Sequence, residues 1–163
     1  MFATLRLGSI VRLIASLAIT LGAAVLGGLA TASSVNTWYQ SLVKPSFNPP
    51  AWVFGPVWTV LYILMGIALY LVWNQVSKGK AGREALLVFA VQLILNVLWS
   101  FAFFGLQSPL AGLIVIILLW LSIIATIRSF YEVSPTAAYL LVPYILWVSF
   151  AAVLNFSIWW LNR

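Results

Sequence analysis

The stretch WYQSLVKPSFNPPAWVFGPVWTVLYILMG, residues 38–66, begins as a polar, proline-bearing loop and runs without a break into an apolar helix. Connections between hydrophobic spans are short by default, so a loop of this length implies a task of its own. Pro45, Pro49 and Pro50 fix φ and reduce the entropy lost when the loop settles into one shape. Asn48 is placed to cap the helix that follows, with Pro49 in its first turn, where no amide donor is missed. The reading is a stiff lid, comprising Trp38, Lys44, Pro45, Pro49 and Pro50, that feeds a membrane helix.

Outward from this stretch the chain is almost wholly apolar. Of its 163 residues, 64% are hydrophobic and 6% charged, against about a quarter charged in a water-soluble domain. The surrounding solvent must be lipid. Without cysteine there is no disulfide or thiol chemistry, and without histidine the commonest metal ligand and general base is missing. A net charge of +6 would suit nucleic acid, but the eight basic residues do not cluster in one patch and sit at the edges of hydrophobic runs, where membrane topology puts them. No nucleic-acid partner is expected; the partner is a bilayer.

About 20 apolar residues cross the hydrocarbon core, and the runs 10–31, 51–73, 86–106, 110–127 and 136–161 each qualify. The fold class is an all-α membrane protein, a bundle of five transmembrane helices in a single domain over 1–163, with a long structured loop between the first two. Gln107-Ser108-Pro109 is short enough to make the third and fourth helices antiparallel neighbours. Arg6, Arg12, an apolar run and Ala30-Thr31-Ala32 mimic a cleavable secretory signal. The run is too long for a signal core, and Ala23, Ala24, Gly27 and Gly28 favour a retained, closely packed helix. Arg6, Arg12, Lys78, Lys80, Arg83 and Arg128 share one side, against Lys44 and Arg163 on the other. The bias predicts a cell membrane with the N-terminus in the cytoplasm and the lid and C-terminus outside.

Polar groups in lipid are costly, so their positions carry information. At 3.6 residues per turn, Gln92, Asn96, Trp99, Ser100 and Phe103 share a face of the third span. Tyr144, Trp147, Ala151, Asn155 and Ile158 do so on the fifth, and Trp52, Gly55, Pro56, Thr59, Tyr62 and Gly66 on the second. Such faces serve as interhelical glue or as the walls of a mostly apolar cavity with a few polar anchors and rings for stacking. Trp38, Trp73, Trp159 and Trp160 belong to interfacial belts, whereas Trp99, Trp120 and Trp147 lie deeper and need packing or a ligand. Glu84 and Glu132 are the only acids, so no paired carboxylates, Ser–His–Asp set or metal cluster can be assembled. Hydrolytic and redox-metal chemistry is excluded, and a binding protein survives.

Several ordered motifs carry a family resemblance. Trp38-Tyr39 with Lys44-Pro45, Asn48-Pro49-Pro50 with Trp52, Gly55-Pro56 and Trp58, Tyr62 with Met65-Gly66, Gln92 with Asn96 and Trp99, and Pro143-Tyr144 with Trp147 and Asn155 are similar to the TspO/translocator protein family, also called the peripheral benzodiazepine receptor family. The likeness covers roughly 38–162 and implies a five-helix bundle, usually a homodimer, whose pocket is closed by the first loop. It implies no obligatory cofactor, but porphyrin or other haem-type tetrapyrroles as ligands, together with benzodiazepine- or isoquinoline-type molecules. Transport or sensing of these ligands is implied, with light-dependent porphyrin degradation by pocket tryptophans as the alternative. Trp52, Asn96, Trp147 and Ala151 match ligand-contact positions, with Tyr62, Trp99 and Asn155 as nearby candidates. Eukaryotic members carry a C-terminal cholesterol motif with a Tyr closely followed by a basic residue. Here Leu154, Phe156 and a distant Arg163 stand instead, so sterol is a doubtful partner and a bacterial-type member is implied.

Overall fold

In the computed structural model, residues 7–75 and 80–163 are described. Helix α1 is Leu7–Ala32, a one-turn helix α2 is Trp38–Ser41, and α3 is Ala51–Trp73. Helix α4, Lys80–Ser100, runs on through a π-helical turn at Phe101–Gly105. Helix α5 is Pro109–Val133, and a short α6, Pro135–Leu140, leads into α7, Val142–Leu161. Five helical stretches are long and apolar enough to cross a bilayer, as the sequence predicts: Gly8–Ala32, Ala51–Trp73, Ala81–Gly105, Pro109–Val133 and Pro135–Leu161. The chain is an integral membrane protein.

Helix α1 packs on α3 and α4, α4 on α5, α5 on α6 and α7, and α6 closes the ring against α3. Glycine permits the closest approach. A Cβ on Gly66 would stand 2.8 Å from Leu17 Cδ2 and Thr20 Oγ1 of α1, and one on Gly112 would stand 2.7 Å from Phe103. Below the midpoint the interior is solid, built on Met65, Val72, Phe130, Ile123 and Leu141, with Phe89 stacked on Phe130 at 5.6 Å.

Three local details depart from the sequence reading. Asn48 does not cap α3: Pro50 takes that position without a side-chain bond. The Asn48 amide is used inside the lid instead, where its Oδ1 accepts from Tyr39 Oη at 3.0 Å and its Nδ2 donates to Pro49 O. The fifth span is broken at Leu141, because Pro143 has no amide to offer the carbonyl four residues back. The Leu141 amide turns to Ala138 O at 3.1 Å, and the helix restarts. The fourth span extends to Val133, past the expected end at 127, and takes in Arg128 and Glu132.

The turn between α4 and α5 is tight, and it shapes the site. Gln107 adopts a positive φ of 51°; Ser108 Oγ caps α5 by accepting from Ala111 N, with Pro109 in the first turn. Within the π turn the Ser108 amide reaches back to Phe103 O. Phe104 O is thereby left to accept from Ser34 Oγ at 2.7 Å, which ties the start of the lid to α4. Arg12, Arg83 and Arg128 are exposed at the end of the bundle away from the lid, where Arg12 donates to Asn74 Oδ1. Arg6 and Lys78, also used to infer orientation, lie outside the described residues.

Candidate functional site

Toward the lid, α1, α3, α4 and α7 draw apart around a cavity of about 760 Å³, within the ~300–1,000 Å³ usual for small-molecule sites. One wall is a run of rings. Tyr62 lies 5.7 Å from Trp58, Trp58 lies 6.4 Å from Trp99, and Trp99 lies 5.7 Å from Phe103, with interplanar angles near 30° throughout. Trp99 is held in place by its Nε1, which donates to Asn155 Oδ1 at 3.1 Å, while Asn155 Nδ2 donates to Pro109 O. Trp147 lines the same cavity, meets the edge of Phe54 at 5.9 Å and tilts on Phe150.

The floor is polar and buried. Tyr62 Oη donates to Asn96 Oδ1, Asn96 Nδ2 donates to Tyr144 Oη at 2.6 Å, and Tyr144 donates to Gln92 Oε1 at 2.9 Å. Gln92, Asn96 and Tyr144 are each exposed by no more than 2%. Each amide satisfies a hydroxyl from a different helix, so the chain of bonds joins α3, α4 and α7 and fixes the side chains beneath the cavity. Trp147 Nε1 stands apart: it is shielded from solvent and has no hydrogen-bond partner among the described residues. A buried donor left unpaired is costly, and an acceptor on a bound molecule would relieve it.

The lid forms the roof. Asn162 grips the backbone of Val43 at both ends, its Oδ1 accepting from Val43 N and its Nδ2 donating to Val43 O, each at 2.9 Å. Tyr39 is buried against Phe103 and Phe104; burial raises its phenol pKa, with the Asn48 bond opposing. The Lys44 ammonium donates to Gln40 O and Leu42 O and sits 4.9 Å from the Tyr39 ring centroid. Pro45 and Asn48 close a turn, and Lys44, Pro49 and Pro50 line the underside of the lid. Trp38 packs edge-on to Phe103 at 5.5 Å, outside the cavity lining.

Of the candidate ligand contacts, Tyr62, Asn96, Trp99, Trp147, Ala151 and Asn155 converge on the one cavity. Trp52 does not: it is 75% exposed and lies outside the lining. The tryptophan that faces inward from α3 is Trp58. Six residues separate the two, which is about 120° around a helix, so Trp52 and Trp58 cannot share a face. Spacing alone contains the signal, since Trp58 falls in line with Tyr62, Met65 and Leu69, all buried. Trp120 is also placed elsewhere, donating to Ser149 Oγ at 2.8 Å to join α5 to α7.

Known proteins resemble this chain over nearly its whole length. The profile of the TspO/MBR family matches residues 15–161. The chain is 48% identical over 153 residues to the tryptophan-rich protein TspO of Chlorobaculum tepidum, covering 91% of this chain and 97% of that protein. It is 47% identical to the protein of the same name from Archaeoglobus fulgidus, covering 94% and 99%. To the translocator protein of Bos taurus it is 37% identical, covering 85% and 82%. With a five-span bundle, a lidded cavity walled by tryptophan and a family match across nearly its whole length, the chain belongs to the TspO/MBR family.

Proposed function

We propose that this protein is an integral membrane receptor for tetrapyrroles, binding a porphyrin- or haem-type ring in the lidded cavity and acting as a sensor or carrier. The observation that carries the reading is one cavity lined by the paired rings of Trp58 and Trp99, by Trp147 and by Asn96. Such a space suits a flat, largely apolar molecule. Each ring stacked on a tryptophan face contributes about 0.5–1.5 kcal/mol beyond burial. Trp147 Nε1 supplies a donor for a ligand acceptor, and the lid shields the bound ring from water. Other flat apolar molecules of benzodiazepine or isoquinoline type fit the same chemistry, and the name translocator protein borne by relatives is in keeping with a carrier role. The proposal includes a cell-membrane location with the lid outside, supported by Arg12, Arg83 and Arg128 at the opposite end.

The test is a titration of the full chain in lipid nanodiscs with protoporphyrin IX, followed by tryptophan fluorescence. Saturable quenching that weakens in Trp147→Phe and Asn96→Ala is expected. Absence of quenching, or quenching indifferent to both substitutions, overturns the reading.

A further inference from the structure

The contact between α1 and α3 is tight at one level and absent at another. Deep in the bundle Gly66 of α3 presses on Leu17 and Thr20 of α1, leaving no room for a Cβ. Thr59 and Gly55 precede Gly66 by seven and eleven residues, two and three turns, and so lie within about 20° of the same line along α3. On α1, Gly27 and Thr31 extend the line from Thr20 in the same way, with Gly28 on the adjoining strip. Toward the lid the two strips continue, but Gly27 turns to Ser100 of α4, whose Oγ lies 3.1 Å from a Cβ built there, rather than to Gly55 or Thr59 of α3.

There they do not meet. A Cβ built on Gly28 or on Gly55 finds nothing within 4 Å. Gly28, Ala32, Gly55 and Thr59 nevertheless line the cavity, and all four are exposed. A residue that does both stands at a mouth. The surface around this mouth is apolar, with Val25 and Leu29 exposed on α1 and Val60 and Ile63 on α3, so it opens onto lipid rather than water. The other approaches are fastened. The lid is held by the Val43–Asn162 pair, by Tyr39 on Asn48 and by Ser34 on Phe104 O. Between α3 and α7, Phe54 rests on Trp147.

We propose that the gap between α1 and α3 is a side door, framed by Gly28, Ala32, Gly55 and Thr59, through which a flat apolar ligand passes between the bilayer and the cavity while the lid stays shut. The small side chains keep the door wide, and its one hydroxyl, on Thr59, is already bonded to Gly55 O at 2.9 Å, so a ligand dissolved in lipid crosses a largely apolar sill. This inference rests on the reading of the cavity as a tetrapyrrole site.

The experiment uses the full chain in phosphatidylcholine vesicles and stopped-flow tryptophan quenching by protoporphyrin IX already partitioned into the lipid. Gly28→Phe places a ring where a Cβ meets nothing within 4 Å, Thr59→Phe enlarges an exposed side chain of the frame, and each is expected to slow association by about tenfold. Because the natural chain has no cysteine, a Val43→Cys/Asn162→Cys pair locks the lid with a single defined disulfide, and this protein is expected to exchange at the natural rate. Exchange at the natural rate in both door variants, or arrest by the locked lid, overturns the side door while leaving the tetrapyrrole reading intact. No equilibrium quenching in the unaltered protein overturns that reading, and the door with it.

Discussion

Asn96 offers the sharpest test of how the cavity floor is held. Its Oδ1 accepts from Tyr62 and its Nδ2 donates to Tyr144, while Tyr144 keeps an independent acceptor in Gln92. Replacing Asn96 with Leu, a side chain of similar size, strands the Tyr62 hydroxyl as a buried donor but leaves the Tyr144 proton satisfied. A stranded donor costs about 1–3 kcal/mol, and side-chain hydrogen bonds between membrane helices average about 0.6 and reach about 1.7 kcal/mol in coupling. Tyr62 is 5% exposed and Asn96 2%, which puts this pair toward the upper end. Tyr62→Phe in the Asn96→Leu background removes the stranded hydroxyl. A double-mutant cycle in mixed-micelle denaturation is therefore expected to show coupling of about 1–1.5 kcal/mol, the double variant being more stable than the sum of the singles implies. Additivity within about 0.3 kcal/mol refutes the claim that the floor acts as one network.

Three further outcomes follow from the geometry. Gly112→Ala drives a Cβ to within 2.7 Å of Phe103 and 2.9 Å of Asn155 Oδ1, so it loses about 1–3 kcal/mol in the same denaturation assay. Gly105→Ala, which meets only Phe101 at 3.7 Å, stays within about 1 kcal/mol of the natural chain. Trp58→Phe and Trp147→Phe weaken porphyrin quenching, whereas Trp52→Phe, exposed and outside the cavity lining, leaves the affinity within about twofold. Burial lifts the Tyr39 phenol above its ordinary value of 10.0, so its contribution to lid stability is complete below pH 10 and lost as pH rises through the higher folded value. The stability gap between the natural chain and Tyr39→Phe is accordingly constant below pH 10 and shrinks above it.

Composition and run length made the bundle legible, because a segment of 20 apolar residues has few alternatives to a membrane helix. Helical spacing likewise located the inner faces of α4 and α7, where a single polar-aromatic stripe stands out against Leu, Ile and Val. On α3 it misled. Trp52, Gly55, Thr59 and Gly66 do share a line, but only its middle, Gly55 and Thr59, borders the cavity beside Tyr62, while Gly66 packs on α1 and Trp52 lies outside the lining. Aromatic residues are at home both at an interface and in a pocket, so the residue type could not decide between Trp52 and Trp58. Nor could spacing foresee the π turn, where Phe103 meets Gly112 and Phe104 O accepts from Ser34, both distant in sequence. The Asn162 clamp on Val43 joins residues 119 apart in sequence and leaves no local trace.

The central claim is that a tetrapyrrole sits among Trp58, Trp99 and Trp147 above Asn96, beneath the closed lid. A structure of the protein bound to protoporphyrin IX tests it most directly. The account predicts the ring plane between Trp58 and Trp147, with an acceptor of the ligand facing Trp147 Nε1 and the Val43–Asn162 pair unbroken. A porphyrin found outside the bundle, with the three tryptophans closed on one another where the cavity now lies, would contradict it.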